Sequence, residues 1–221
     1  MSLQKHIAGV AAVALSLSAA WPLLACSPAG AQGQYVVEPV AEKRVKKLPP
    51  GPLYWRIENF PTLEAAKGAA GKDGWDPDQV SYQTNTALAA EVAGKAWLFS
   101  LGAKGGSTAG GTKVAEIGPV PFFSAPEYLL RVNHGYGPPG AKTPVHMHPG
   151  SESFYVLEGR LGQRTPQGVA FIEAGKSMHG HPAGTAMEVF NAGTSELTAL
   201  IMFVVDATRP FSSPARFEAG H

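Results

Sequence analysis

The sequence predicts an all-β fold of the barrel or sandwich type. Short segments rich in apolar, β-branched and aromatic residues recur along its second half, separated by Gly, Pro, Asn or Ser. Many short strands at this spacing are typical of such folds. The composition agrees, because 26 Gly, 19 Pro and 16% charged residues favour turns over long charged helices. The predicted strands are residues 114–120, 127–133, 145–148, 153–158, 169–173, 187–191 and 197–206.

A metal site is predicted within residues 140–159, which read GAKTPVHMHPGSESFYVLEG. His146 and His148 are two residues apart, so on a strand they point to the same face. The Pro-Gly-Ser bend that follows can bring Glu152 to the same ion. Two imidazoles and one carboxylate, with coordination positions left open, suit a divalent metal. An isolated pair of surface histidines in a loop is the competing interpretation, but the full spacing is more specific.

This segment resembles the first signature of the cupin family, G-x5-H-x-H-x3-E-x6-G, from Gly140 to Gly159. The resemblance implies a cupin-like antiparallel β-barrel, that is, a double-stranded β-helix or jelly roll. It also implies that His146, His148 and Glu152 hold the metal inside the barrel. Family members use several metals, so Fe, Mn, Zn, Ni and Cu are not distinguished by the sequence.

The second cupin signature, G-x5-P-x-G-x2-H-x3-N, is only partly present. Pro182, Gly184 and Asn191 match it, whereas Gly175 is one residue too far from Pro182. Met187 stands where the family has its fourth metal ligand. A thioether is a soft and weak donor, so this difference alters the predicted site.

Three interpretations of the fourth position remain open. The site uses only its three ligands and leaves more positions free, or His179 or His181 replaces the missing imidazole. In the third interpretation the site is a pocket with little metal affinity, in which Met187 is an apolar filler. His134, near a strand end, is a further candidate as a general base at the barrel mouth, against a solvent-exposed loop histidine.

Residues 1–31 are predicted to be an export signal, because a basic start, an apolar stretch and small residues follow one another. Cleavage after Ala31 fits an A-x-A site. Leu23 to Cys26 resembles a bacterial lipobox, which would instead make Cys26 a lipidated N-terminus. The protein is therefore expected to be periplasmic, secreted or lipid-anchored in the bacterial cell envelope, without a membrane span.

The remaining segments are assigned in chain order. A charged, proline-containing linker is predicted at 32–52, and an N-terminal extension of the barrel at 53–112. Within the extension we expect an edge strand, a short alanine-rich helix after Pro61, a strand at 96–101 and a glycine-rich hairpin connection. Residues 80–93 are ambiguous between helix and irregular chain. The barrel is predicted at 113–206, followed by an irregular tail at 207–221.

Charge and hydropathy limit the partners. Residues 32–221 contain 17 basic and 17 acidic residues, which offers no broad attraction for nucleic acid. Residues 197–206 are apolar at nearly every position, as expected for a central strand or a homodimer interface. The expected ligand is a small molecule.

Two functions follow from these features. The first is a metal-dependent oxidoreductase with dioxygenase-like chemistry on a small organic substrate. The alternative is a non-catalytic small-molecule or metal-binding protein of the cell envelope.

Overall fold

The computed structural model describes residues 33–71 and 86–217. The predicted export signal and the first part of the ambiguous segment 80–93 lie outside these ranges. The elements are β1 (Val36–Val45), β2 (Tyr54–Phe60), α1 (Leu63–Ala69), β3 (Ala87–Val92), β4 (Lys95–Gly102), β5 (Thr112–Ile117), β6 (Tyr128–Gly137), β7 (His146–Met147), β8 (Gly150–Glu158), β9 (Arg160–Thr165), β10 (Gly168–Glu173), β11 (Ser177–Met178), β12 (Glu188–Asn191), β13 (Leu197–Asp206) and β14 (Ser213–Pro214).

The strands form four antiparallel sheets, which confirms the predicted all-β fold. A five-stranded sheet has the order β1-β6-β13-β8-β11, and a three-stranded sheet has the order β10-β9-β12. Strands β14 and β7 form a short pair, and β3-β4-β2-β5 form a four-stranded sheet. Among the described residues, no helix is both long and apolar enough to cross a membrane.

The inner face of the five-stranded sheet closes the barrel. Its buried side chains, which include Phe154, Ile201 and Phe203, pack against Leu161 and Val189 of the three-stranded sheet. Successive side chains of a strand point to opposite faces, so the intervening residues of β6 and β13 face the other way. The barrel core is therefore one of two cores that share the same central strands.

The outer face of the five-stranded sheet packs against the four-stranded sheet. Leu130, Leu200 and Met202 form this second core together with Trp55 and Phe99. Strand β13 lies between β6 and β8 with both faces covered. This placement explains why its sequence is apolar at nearly every position. A homodimer interface is not needed to account for that pattern, and dimerisation stays a prediction.

The short helix predicted after Pro61 is present as α1. Its N-cap is Thr62, whose side-chain oxygen accepts a hydrogen bond from the backbone N–H of Ala65 at 3.1 Å. A hydroxyl at this position satisfies a donor that the first turn leaves free. The helix buries Ala66 in a small cluster with Phe60 and Leu98, on the remaining face of the four-stranded sheet.

The main correction concerns residues 32–52, which were predicted to be a linker but contain a strand. Residues 36–45 form β1, which pairs antiparallel with β6 along nearly its whole length. The charged residues that suggested a solvated linker are those of an edge strand with one exposed side. Charges are common on edge strands because they discourage pairing with other chains.

Other local expectations also change. Strand β2 is not an edge strand, because it lies between β4 and β5. For the same reason the glycine-rich segment between β4 and β5 is not a hairpin connection, since these two strands are not neighbours. The ambiguous segment contains β3, and β9 was not predicted. Strand β5 pairs with β2 and so belongs to the four-stranded sheet.

A buried ion pair anchors the glycine-rich connection. The Nε of Arg56 donates to Glu58 at 3.0 Å, and both side chains are almost fully buried. Thr108 in the connection donates to Glu58 from its backbone N–H at 2.7 Å and from its hydroxyl at 2.6 Å. Burial acts to raise the pKa of Glu58, but the hydrogen bonds from Thr108 and Arg56 outweigh it and lower the pKa.

We expect Arg56→Leu to destabilise the protein by about 3–5 kcal/mol, because it leaves the Glu58 carboxylate buried without its cation. Urea unfolding followed by circular dichroism measures the change. Lys67→Leu is the matched control, since Lys67 forms an exposed pair with Glu64 and such pairs contribute about 1 kcal/mol or less. Equal losses in the two variants would contradict the role of the buried pair.

Candidate metal centre

The three predicted ligands lie where β7 turns into β8. His146 belongs to β7, whose backbone pairs with Met187 through two hydrogen bonds of 2.9 and 2.8 Å. His148 follows β7, the chain bends at Pro149, and β8 begins at Gly150. A Cβ on Gly150 would collide with the carbonyl oxygen of Val204, so glycine is needed where β8 approaches β13.

The structure brings His146, His148 and Glu152 together. One ligand atom of each side chain lies within 4.8 Å of those of the other two. His148 and Glu152 are each only 4% exposed, whereas His146 is half-buried. This is the spatial arrangement that the spacing of the first signature predicted.

Backbone carbonyls orient both imidazoles. The Nδ1 of His146 lies 2.8 Å from the carbonyl oxygen of Pro144, and the Nδ1 of His148 lies 2.6 Å from that of Phe211. A carbonyl oxygen can only accept, so Nδ1 carries the proton in each ring. In the neutral imidazoles the lone pair is then on Nε2, the atom left free to bind a metal. A backbone carbonyl on the second ring nitrogen is a frequent partner of metal-binding histidines.

The electrostatics of the group also suit a cation. Burial lowers the pKa of His148 to about 4, against the opposing effect of the Phe211 carbonyl, so the ring is neutral at pH 7. Burial raises the pKa of Glu152 to about 8. Its Oε2 is buried without a protein hydrogen-bond partner. An unpaired buried carboxylate is costly, and a divalent cation would offset that cost. The donor set therefore fits a metal.

Met187 is buried beside this group. The pairing with His146 places the two side chains on the same face of their strands. The Met187 sulfur accepts a hydrogen bond from the side-chain nitrogen of Gln163 at 3.4 Å. The side-chain oxygen of Gln163 in turn lies 2.9 Å from Nε2 of His181. The Met187 side chain is 2% exposed.

Neither alternative histidine joins the group. Among the described residues, the side chains that come together as a candidate metal group are His146, His148 and Glu152, without His179 or His181. His181 is engaged with Gln163. His179 is exposed and lines a different cavity of about 910 Å³, between the segments 46–53 and 119–125.

His134 is not at the barrel mouth. It lies within β6 opposite Leu200, whose side chain belongs to the outer core. Its ring packs on Tyr136 with the centroids 4.8 Å apart. Burial lowers the pKa of His134, although the Glu38 carboxylate acts to raise it. Because this face is turned away from the metal group, a role as general base there is excluded by position.

A cavity of about 600 Å³ adjoins the three ligands. Its apolar walls come from the barrel core and from Phe211 of the tail, and its polar walls include Tyr35, Arg131 and Asn133. The Arg131 guanidinium stacks over the Phe211 ring at 4.0 Å and pairs with Glu42 at 2.6 Å. The two-residue alternation of β6 could have indicated that Arg131 and Asn133 face the cavity. Tyr35 and Phe211 lie in segments read as linker and tail, which gave no signal.

A sequence profile described as the cupin domain matches residues 137–203, from the end of β6 into β13. This range contains both signatures and all three candidate ligands. Residues 137–203 are a cupin domain. The resemblance inferred from residues 140–159 is thereby confirmed, and the walls formed by Tyr35 and Phe211 lie outside the matched range. No curated protein matches the chain.

Solved structures similar to the chain include other cupins and two kinds of enzyme. A DMSP lyase from Ruegeria pomeroyi is 21% identical over 41% of this chain and 45% of that one, with a TM-score of 0.35. A cupin 2 conserved barrel domain protein from Salinispora arenicola is 19% identical over 36% and 65%, with a TM-score of 0.32. An oxalate oxidase is 22% identical over 38% and 45%, with a TM-score of 0.32. The chain thus spans less than two thirds of each of these proteins, and their activities are not carried over.

We expect the metal-free protein to lose stability through Glu152 as the pH rises from about 4.5 to about 8, because burial raises the pKa of this carboxyl in the folded state. The folded state then holds a proton that the unfolded state releases, which favours unfolding as the pH rises. Glu152→Gln has no such proton. Its melting temperature relative to the wild type should therefore increase across this range.

Thermal unfolding of the metal-free proteins at several pH values measures this difference. Glu158→Gln is the control, because Glu158 is an exposed residue of the same strand. A difference between Glu152→Gln and the wild type that stays constant with pH would show that Glu152 ionises normally.

Proposed function

We propose that this protein is a metal-dependent cupin enzyme with oxygenase-type activity on a small organic substrate. The observation that carries the proposal is the group of His146, His148 and Glu152. Both imidazoles have their Nδ1 bound to backbone carbonyls, and the Oε2 of Glu152 is buried without a protein hydrogen-bond partner. A divalent metal with two histidines and one carboxylate retains open positions at which it can activate a substrate or oxygen.

The residues of the chain have separate roles in this proposal. The carbonyls of Pro144 and Phe211 keep the rings of His146 and His148 in the orientation that presents Nε2. Glu152 supplies the negative charge. Phe203 and Phe211 each pack against His148 with ring centroids 4.9 Å apart, and they exclude water from that side of the site.

We propose that Met187, at the position of the family's fourth metal ligand, does not bind the metal strongly. Met187 has a weak thioether donor, which already accepts a hydrogen bond from Gln163. His181 is held by the same glutamine, and His179 lines another cavity. These contacts favour the interpretation with three protein ligands over the one in which a second histidine replaces the missing imidazole.

A non-catalytic metal-binding or small-molecule-binding protein is the second candidate. Met187 favours it, because loss of the usual fourth ligand is also expected where catalysis has been lost. Anaerobic loading with Fe(II), followed by oxygen-uptake measurements with small aromatic, thiol and keto compounds, separates the two candidates. Oxygen consumption that depends on both Fe(II) and one compound class supports the enzyme, and its absence across the panel supports the binding protein.

Export to the cell envelope is part of the proposal and rests on residues 1–31 alone. Cell fractionation and sequencing of the mature N-terminus test it. A protein in the cytoplasmic fraction that retains Met1 would contradict export, and a lipidated Cys26 would select the lipoprotein over cleavage after Ala31.

His146→Ala and His148→Ala are each expected to abolish stoichiometric metal binding. Loss of residues that only orient ligands typically weakens metal affinity about 10–100-fold, and loss of a ligand should cost at least as much. Metal content after dialysis, measured by mass spectrometry, gives the result. His179→Ala is the control, since this exposed histidine lies outside the group. Unchanged metal content in both ligand variants would refute the site.

Met187→His should tighten metal binding, because it restores an imidazole on the face that Met187 shares with His146. It should also alter any oxygen-dependent activity by occupying an open position. Competition with a chelator measures the affinity. Met147→His serves as the control, because alternation places residue 147 on the opposite face of β7. No change in Met187→His would indicate that another residue already fills the fourth position.

A further inference from the structure

Tyr35 is a buried residue whose hydroxyl has no protein partner. Its side chain is 4% exposed and lines the cavity beside His146, His148 and Glu152. Its hydroxyl oxygen makes no hydrogen bond to the protein. Burial raises the pKa of Tyr35, and the Glu152 carboxylate raises it further, so the phenol keeps its proton and is a hydrogen-bond donor. A buried donor left unpaired is unfavourable, because it has lost its hydrogen bonds to water.

Gly135 is what allows the phenol to reach this position. A Cβ on Gly135 would lie 2.6 Å from the hydroxyl oxygen of Tyr35 and 2.7 Å from the Cδ1 of Ile201. The tyrosine therefore extends over β6 at a residue without a side chain. The sheet places its hydroxyl next to Ile201, which is directly opposite Asn133 in the pairing of β13 with β6.

Asn133 brings a second unpaired group to the same wall. It is 2% exposed and lines the same cavity, and its Oδ1 is buried without a protein partner. A carboxamide oxygen only accepts hydrogen bonds. The wall thus offers one free donor, from Tyr35, and one free acceptor, from Asn133. A hydroxyl group accepts one hydrogen bond and donates another, so its chemistry matches this pair of unpaired groups.

The charges around the cavity indicate a monoanion. Arg131 and Lys142 line it, but each is paired with a carboxylate, from Glu42 and Glu188 respectively. Glu188 is shared with Arg164, so Lys142 is only partly neutralised and also favours an anion. With both ligand imidazoles bound as neutral rings, a divalent ion and the Glu152 carboxylate together leave one positive charge. One carboxylate on the bound molecule would neutralise it.

We propose that Tyr35 and Asn133 form a subsite that binds the hydroxyl of a small 2-hydroxycarboxylate, while its carboxylate occupies an open position at the metal. The proposal rests on the proposed metal site and names the class of molecule that this site takes. Tyr35 and Asn133 lie outside the matched cupin range, so this specificity belongs to the residue before β1 and to β6 of this chain.

The probe is lactate, titrated into the protein loaded with Co²⁺, whose visible absorption reports changes in its coordination. Pyruvate has a carbonyl in place of the hydroxyl, and lactamide lacks the negative charge. We expect lactate to bind more tightly than either. Pyruvate can accept from Tyr35 but cannot donate to Asn133, and lactamide cannot neutralise the excess positive charge.

Tyr35→Phe is the decisive variant. It should weaken lactate binding about 5-fold, which corresponds to the loss of one hydrogen bond of about 1 kcal/mol. Its Co²⁺ stoichiometry should be unchanged. Its melting temperature without metal should be equal to or higher than that of the wild type, because the lost hydroxyl has no protein partner. Tyr136→Phe is the control, since the Tyr136 hydroxyl donates to Glu38 at 2.9 Å on an exposed surface.

Asn133→Leu tests the acceptor. It should reduce the preference for lactate over pyruvate, because only the hydroxyl uses Asn133. Unchanged lactate affinity in Tyr35→Phe, or a lower melting temperature of that variant, would overturn the subsite. If the wild type binds Co²⁺ but not lactate, the subsite is wrong and the metal site stands. If it does not bind Co²⁺, the proposed function itself fails.

Discussion

The structure depends on the burial of β13 on both of its faces. This strand pairs with β6 on one edge and with β8 on the other, over almost all of its ten residues. One set of its side chains fills the barrel and the alternate set packs against the four-stranded sheet. The position of β8, and with it the position of Glu152, follows from this pairing, since Glu152 lies opposite Phe203.

The candidate metal centre is completed by segments far from the ligands in sequence. The tail returns to the barrel as β14, which pairs with β7, and the carbonyl of Phe211 holds the ring of His148. At the other end of the described chain, Tyr35 reaches the same cavity just before the edge strand β1. The candidate metal-binding residues belong to the cupin domain, whereas part of the surrounding cavity wall does not. The specificity for a bound small molecule can therefore change without any change in the metal-binding residues.

The site keeps several polar groups in an unfavourable state. The Glu152 carboxylate, the Tyr35 hydroxyl and the Asn133 side-chain oxygen are all buried without hydrogen-bond partners in the described protein. Each of these unpaired groups lowers the stability of the folded protein, and the burial of apolar side chains in the two cores offsets this loss. Groups held unpaired around one cavity are expected where a metal and a ligand complete the interactions.

The sequence by itself determined the all-β class, most of the strands, the helix α1 and the three candidate ligands. These features depend on local patterns, namely the two-residue alternation of strands and the spacing of His146, His148 and Glu152 around one bend. It did not reveal β1, because a charged edge strand has the composition of a linker until its partner β6 is known. It also could not decide which of Met187, His179 and His181 lies at the fourth position of the site. Only the tertiary structure decided that Gln163 engages Met187 and His181, and that Tyr35 and Phe211 meet at the site, because these contacts join strands whose proximity is set by sheet pairing.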